Sequence, residues 1–144
     1  LAKLNLFEDE VEARMKIGSR YTAKLKEKGF NNTPFISSEN SSVYAQYTIQ
    51  VNNRDKVIEN MKEKGIPTSV HYPSLIPDQR ALKKFNFKNK SFLKTFLSKE
   101  IYKSFVIKNA KDAASKVLSL PMHPNLSEYN QDLVINSLME SLKG

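Results

Sequence analysis

The sequence predicts an α+β domain, a small sheet packed by helices and led by a long helix. Two patterns carry most of that reading. Apolar residues recur at helical spacing from Leu4 to Leu25, and a period-two alternation runs from Val43 to Val51. A third pattern, glycines and prolines that punctuate the rest, separates these stretches from shorter helices and strands.

Leu4, Phe7, Val11, Met15, Gly18, Tyr21 and Leu25 lie at steps of three and four, one face of a helix covering residues 1–28. Gly29 is placed to stop it, and Asn31, Asn32, Thr33 and Pro34 form a turn-rich link. Val43, Ala45, Tyr47, Ile49 and Val51 alternate with polar neighbours and predict a strand with these five residues inward. Asn52 or Asn53 is positioned to cap the next helix, whose face is Arg54, Val57, Ile58 and Met61 and whose stop is Gly65 followed by Pro67. Ile66 to His71 then reads as a second short strand. Pro73 ends it and imposes an irregular loop through Pro77. Asn109 is placed to cap a helix over 110–116. Val117 to Leu120 is a buried strand stopped by Pro121. Ser127 is placed to cap a last helix with Leu133, Val134, Leu138, Met139 and Leu142 on its inner side. Leu1 falls inside a helical pattern already running, so the chain is expected to be part of something longer.

Composition narrows the function classes. The chain has 144 residues, 40% hydrophobic and 26% charged, the balance of one soluble globular domain. There is no cysteine, which excludes a disulfide scaffold, a cysteine-ligated zinc site and a cysteine nucleophile. His71 and His123 are the only histidines, too few for a histidine-built metal site. No membrane-length apolar run and no signal peptide is visible, and the expected location is the cytoplasm. The net charge is +8, but 19 of the 23 basic residues are lysine and asparagine is frequent, a bias that an A/T-rich genome also produces. Nucleic-acid binding is therefore not expected. Residues 83–108 are unusual: eight Lys, one Glu and five Phe give this stretch a net +7. It reads as a basic insertion packed on the domain, and membrane contact is not expected of it, because its phenylalanines are scattered at both ends.

No phosphate loop, nucleophile elbow, zinc motif or dinucleotide fingerprint is present. Two stretches and one residue between them carry a resemblance. They are Gly65-Ile66-Pro67-Thr68-Ser69-Val70-His71-Tyr72-Pro73, then Gln79, then Val117-Leu118-Ser119-Leu120-Pro121-Met122-His123-Pro124-Asn125-Leu126. Their order and separation resemble the C-terminal part of the pyridoxal-phosphate sugar aminotransferases of the DegT/DnrJ/StrS type. Leu1-Ala2-Lys3-Leu4 with Arg14 and Tyr21 resembles the long helix leaving that family's large domain. The likeness covers residues 1–82 and 109–142, and residues 83–108 depart from it. The HYP form is similar to that of enzymes aminating UDP-linked 3-keto sugars or uronic acids.

The resemblance implies the C-terminal small domain of a fold-type I enzyme. Its activity would be transfer of an amino group from glutamate to a keto-sugar nucleotide in surface-polysaccharide or glycan synthesis, with pyridoxal 5'-phosphate as cofactor. The Schiff-base lysine and most cofactor ligands of the family lie in the large domain, upstream of Leu1. No catalytic or cofactor-binding residue is therefore assigned to this chain, which alone is expected to be inactive. The intact protein is expected to be a homodimer. The family's substrate-facing histidine and tyrosine map onto His71 and Tyr72, and Gln79 follows at the family's offset as a loop-ordering or substrate residue. On their residue types alone, His71 reads rather as a structural loop histidine and Tyr72 as a core residue, and the motif context reverses that preference. His123 reads as a turn histidine, and Arg14 and Arg20 as surface partners of Glu10 or Glu12. The competing class is a non-catalytic truncated module, or a polyanion-binding domain using residues 83–108.

Overall fold

The computed structural model describes residues 3–75, 79 and 107–143. A 3-10 turn, Leu4–Leu6, leads into α1, Phe7–Glu27. Then follow β1 (Tyr47–Gln50), α2 (Arg54–Glu63), α3 (Ile107–Lys116), β2 (Val117–Leu120) and α4 (Glu128–Ser141). This is the α+β architecture expected. The basic stretch 83–108 lies outside the described residues except for the start of α3.

Glycine ends α1 and α2 in the same way. Gly29 (φ +83°) donates to the Lys26 carbonyl and Phe30 to Leu25, each at 2.9 Å. Gly65 (φ +73°) and Ile66 repeat this on Lys62 and Met61, again at 2.9 Å. Both are the paired closure in which a left-handed residue lets the chain satisfy the last carbonyls. Ser127 caps α4, its hydroxyl accepting from the Asn130 amide at 3.2 Å. Asn53 occupies the cap position of α2 but makes no side-chain cap bond. It adopts φ +50°, a region asparagine tolerates.

β1 and β2 are antiparallel, with Tyr47 opposite Leu120, Thr48 opposite Ser119, Ile49 opposite Leu118 and Gln50 opposite Val117. Alternation puts Tyr47, Ile49, Leu118 and Leu120 on one face and Thr48, Gln50, Val117 and Ser119 on the other. The first face is buried against Ile17, Tyr21 and Leu25 of α1, Val57 and Met61 of α2, and Val134, Ile135 and Leu138 of α4. Each such side chain stabilises by roughly 1.5–3 kcal/mol through area removed from water.

Several expectations are corrected. β1 begins at Tyr47, so Val43 and Ala45 are not inward strand residues; Val43 is 46% exposed. The chain joins the ladder only at Tyr47, because Tyr44 at φ +44° is not extended. The expected strand from Ile66 to His71 contracts to one bridge, Ser69 to Ser119, between Pro67 and Pro73. α3 begins at Ile107 and takes exposed Asn109 inside it rather than as its cap. Leu133 is 42% exposed, because it sits one residue step, about 100°, off the buried line of Val134, Leu138 and Ser141. Gln131 and Ile135 take the inner positions instead. On α1 the buried run starts at Ile17. Leu4 and Phe7 are exposed, because the helix runs past the core it packs on.

The arginines of α1 reach across the fold rather than to Glu10 or Glu12. Arg14 donates to the Tyr44 carbonyl at 3.4 Å. Arg20 donates to Gln131 Oε1 at 3.0 Å and pairs with Asp132 at 2.9 Å and Glu128 at 3.6 Å. The hydrogen bond from Arg20 holds the Asp132 carboxyl below its usual range, and the same bond raises the guanidinium. Gln131 is buried, and its amide nitrogen donates to the Ile17 carbonyl at 2.7 Å.

Gly18 is where α1 meets the loop before β1. A Cβ there would lie 2.3 Å from the Tyr44 ring, which stacks 5.7 Å from Tyr47. Gly18→Ala should therefore lower stability by about 1–2 kcal/mol in urea unfolding, overpacking outweighing the gain in helix propensity. In a Tyr44→Ala background the same substitution should be neutral or stabilising; stabilisation in the wild-type background would contradict this packing.

Tyr21 and Tyr47 are fully buried, with ring centroids 4.9 Å apart. Tyr21 donates to the Pro121 carbonyl at 3.0 Å, and the Tyr47 and Thr22 hydroxyls are 2.8 Å apart. Burial raises the Tyr21 phenol and pushes that of Tyr47 up to about 12. Above the usual tyrosine range the folded chain therefore holds protons that the unfolded chain has released. Stability should be undiminished below pH ~10 and fall as pH rises to ~12, by roughly 1.4 kcal/mol per pH unit for each phenol. Urea midpoints across this range, read beside tyrosinate absorbance, check it. A flat midpoint would contradict the burial.

Candidate functional site

The second face of the sheet is polar, and it carries the candidate site. Ser119, at the centre of β2, is hydrogen-bonded on its outer side: its amide donates to the Ser69 carbonyl at 2.7 Å, and the Ser69 amide donates back at 3.1 Å. That leaves Thr48 and Ser119 as the closely spaced kind of antiparallel pair, in which side chains meet. Their hydroxyls are 2.9 Å apart. His71 lies two residues beyond Ser69, so alternation sets it on the same face. Its Nδ1 is 3.2 Å from the Ser119 hydroxyl. Thr48, Ser119 and His71 thus form one hydrogen-bonded line from the edge strand to the loop.

Ser119 is only 5% exposed, whereas His71 is exposed. Tyr72 follows through a cis peptide, is 75% exposed, and meets the His71 ring edge-on at a centroid distance of 6.0 Å. Neither ring belongs to the core. A phenol and an imidazole side by side at a sheet edge present hydrogen-bonding groups suited to sugar hydroxyls, a carboxylate or a diphosphate.

Gln79 is exposed, and residues 76–78 and 80 beside it lie outside the described residues. The described contacts join His71 to Tyr72 but do not bring Gln79 to them. His123 is exposed in the turn after β2, where its carbonyl accepts from the Leu126 amide at 3.1 Å. Sequence reasoning singled out neither Ser119 nor Thr48. The signal was present: a serine alternating with Leu118 and Leu120 must face away from the core.

The described lysines offer no cradle for a covalently held cofactor. All are exposed or half-buried, and the half-buried Lys24 and Lys116 pair with Glu27 at 3.3 Å and Asp112 at 2.8 Å. Among the described residues no cluster of three or more His, Asp or Glu could hold a metal ion, and no helix is long and apolar enough to cross a membrane.

Comparison with known proteins agrees with the motif reading. The model of the DegT/DnrJ/EryC1/StrS aminotransferase family matches residues 1–139. The chain is 36% identical over 138 residues to the UDP-2-acetamido-2-deoxy-3-oxo-D-glucuronate aminotransferase of Pseudomonas aeruginosa, covering 96% of this chain and 33% of that protein. It is 25% identical to the spore coat polysaccharide biosynthesis protein SpsC of Bacillus subtilis, over 100% of this chain and 35% of that one. The crystal structure of a DegT DnrJ EryC1 StrS aminotransferase from Brucella abortus superposes with a TM-score of 0.75 at 31% identity, over 100% of this chain and 34% of that one. The chain thus spans about a third of the length of the relatives it matches, and its fold is that of the family's small domain. With motif, fold and family match in agreement, the chain belongs to the DegT/DnrJ/EryC1/StrS aminotransferase family.

Proposed function

We propose that this chain is the C-terminal, substrate-facing domain of a pyridoxal-phosphate enzyme that moves an amino group from glutamate to a UDP-linked keto sugar. The product would serve surface-polysaccharide or glycan synthesis in the cytoplasm, and the intact enzyme would be a homodimer. The observation that carries the reading is the exposed His71–Tyr72 pair beside the polar face of the sheet, within a stretch that resembles the sugar aminotransferases. Support for the sugar comes from the 36% identical relative, which is named for a UDP-linked 3-oxo-glucuronate.

The cofactor, held by the large domain, supplies the electron sink for exchanging an amine for a ketone. The residues of this chain do the positioning. His71 and Tyr72 offer an imidazole and a phenol to the oxygens of the sugar nucleotide, and Gln79 is assigned to the same loop. The first half of α1 is assigned to the large-domain contact. Leu4 and Leu6 of the preceding 3-10 turn and Phe7 are exposed, and Phe7, Val11 and Met15 line an apolar groove of about 460 Å³.

His71→Ala in the full-length enzyme, assayed with glutamate and a UDP-linked 3-keto sugar, should lower kcat/KM by roughly 10–100-fold, as loss of one hydrogen bond to a polar or charged oxygen does. Wild-type kcat and KM in that variant would contradict the assignment.

A further inference from the structure

We propose that Ser119 and Thr48 are positioning residues that fix the tautomer of His71, so that its Nε2–H is presented outward as a hydrogen-bond donor to an oxygen of the ligand. The inference deepens the reading of His71 as a substrate contact, and its functional meaning rests on that reading.

The Thr48 and Ser119 hydroxyls each have one hydrogen to donate, and they lie 2.9 Å apart. Ser119 Oγ also lies 3.2 Å from His71 Nδ1. Two tautomers of the ring can satisfy the line. In one, Thr48 donates to Ser119 and Ser119 donates to Nδ1, which leaves the proton of neutral imidazole on Nε2. In the other, Nδ1–H donates to Ser119, and either hydroxyl donates to the other, which leaves Nε2 as an outward acceptor.

Acceptor strength separates them. An unprotonated imidazole nitrogen is a better acceptor than an aliphatic hydroxyl oxygen. The buried Ser119 hydroxyl therefore gives its hydrogen to the ring, and the half-buried Thr48 gives its own to Ser119. Every hydrogen in the line is then used inside it. With the proton on Nδ1, one hydroxyl hydrogen, of Thr48 or of Ser119, must find a partner elsewhere.

The backbone makes the line rigid. Ser119 is fixed at the centre of β2 by Thr48 opposite it on one side and by both hydrogen bonds to Ser69 on the other. A side chain anchored in a strand holds its direction better than one in a loop. His71 itself is on a loop, so the rigid hydroxyl sets its ring. The outward donor matches ligands rich in acceptor oxygens, such as a carboxylate, a diphosphate or sugar hydroxyls.

The test reads the ring directly. In full-length protein labelled with 15N at histidine, with His71 identified by its loss in His71→Gln, the two nitrogen shifts at alkaline pH report the tautomer. Wild type should be predominantly Nε2–H. Ser119→Ala should lower the Nε2–H to Nδ1–H ratio by roughly fivefold, the factor one neutral hydrogen bond carries. Ser119→Thr, which keeps the hydroxyl, should restore it, and Thr48→Val should produce a smaller fall. A dominant Nδ1–H form in wild type, or an unchanged ratio in Ser119→Ala with native circular dichroism, overturns the proposal. Kinetics separate the two readings: Ser119→Ala should raise the KM for the sugar nucleotide, with kcat less affected. A shifted tautomer with wild-type kinetics in both Ser119→Ala and His71→Ala would leave the positioning intact and remove His71 from substrate binding.

Discussion

Strand β2 is four residues long, yet it is hydrogen-bonded on both edges, and the rest of the domain is arranged about it. β1 pairs along its whole length, and Ser69 closes on its other side through two backbone bonds. Pleating then separates its side chains without further help. Leu118 and Leu120 turn into the core that α1, α2 and α4 complete, while Ser119 turns to the opposite face. Pro121 ends the strand and offers its carbonyl to the buried Tyr21 phenol, so the end of β2 also fixes the depth at which α1 packs.

This arrangement couples packing to the site. The same strand buries apolar surface on one face and holds a hydroxyl pair on the other. Shifting its register by one residue would place Ser119 in the core and Leu118 on the polar face. The buried Ser119 hydroxyl is satisfied by Thr48 and His71, so the domain incurs no unpaired polar group at that position. The loop histidine is thereby tied to a strand residue held from both sides. Tyr72 beside it projects outward, leaving a phenol and an imidazole at the surface.

Much of this was legible in the residues because it is local. Gly29 and Gly65 marked helix ends because only a left-handed residue closes those carbonyls, and Ser127 marked a helix start. Tyr47, Ile49 and Val51 revealed their face by alternation. The misreadings have non-local causes. Val43 and Ala45 keep the strand period, but the partner strand, far away in sequence, ends at Leu120 opposite Tyr47. Leu133 is apolar yet sits off the buried line, while polar Gln131 is buried because the Ile17 carbonyl and the Arg20 guanidinium satisfy it. Arg20 finds Asp132 and Glu128 across the fold, which no spacing rule within α1 could indicate. For the candidate site, the motif pointed to His71 and Tyr72, but the contact of His71 with Ser119 joins residues 48 positions apart and became visible only in three dimensions.

The central claim is that the polar face of this small sheet closes over a glycosyl donor held mainly by the rest of the enzyme. A crystal structure of the full-length protein with pyridoxal phosphate and a UDP-linked sugar tests it most directly. The account predicts a sugar or diphosphate oxygen within hydrogen-bonding distance of His71 Nε2, with the Tyr72 hydroxyl in the same cleft. A bound nucleotide sugar with both rings turned to bulk solvent, away from it, would contradict the account.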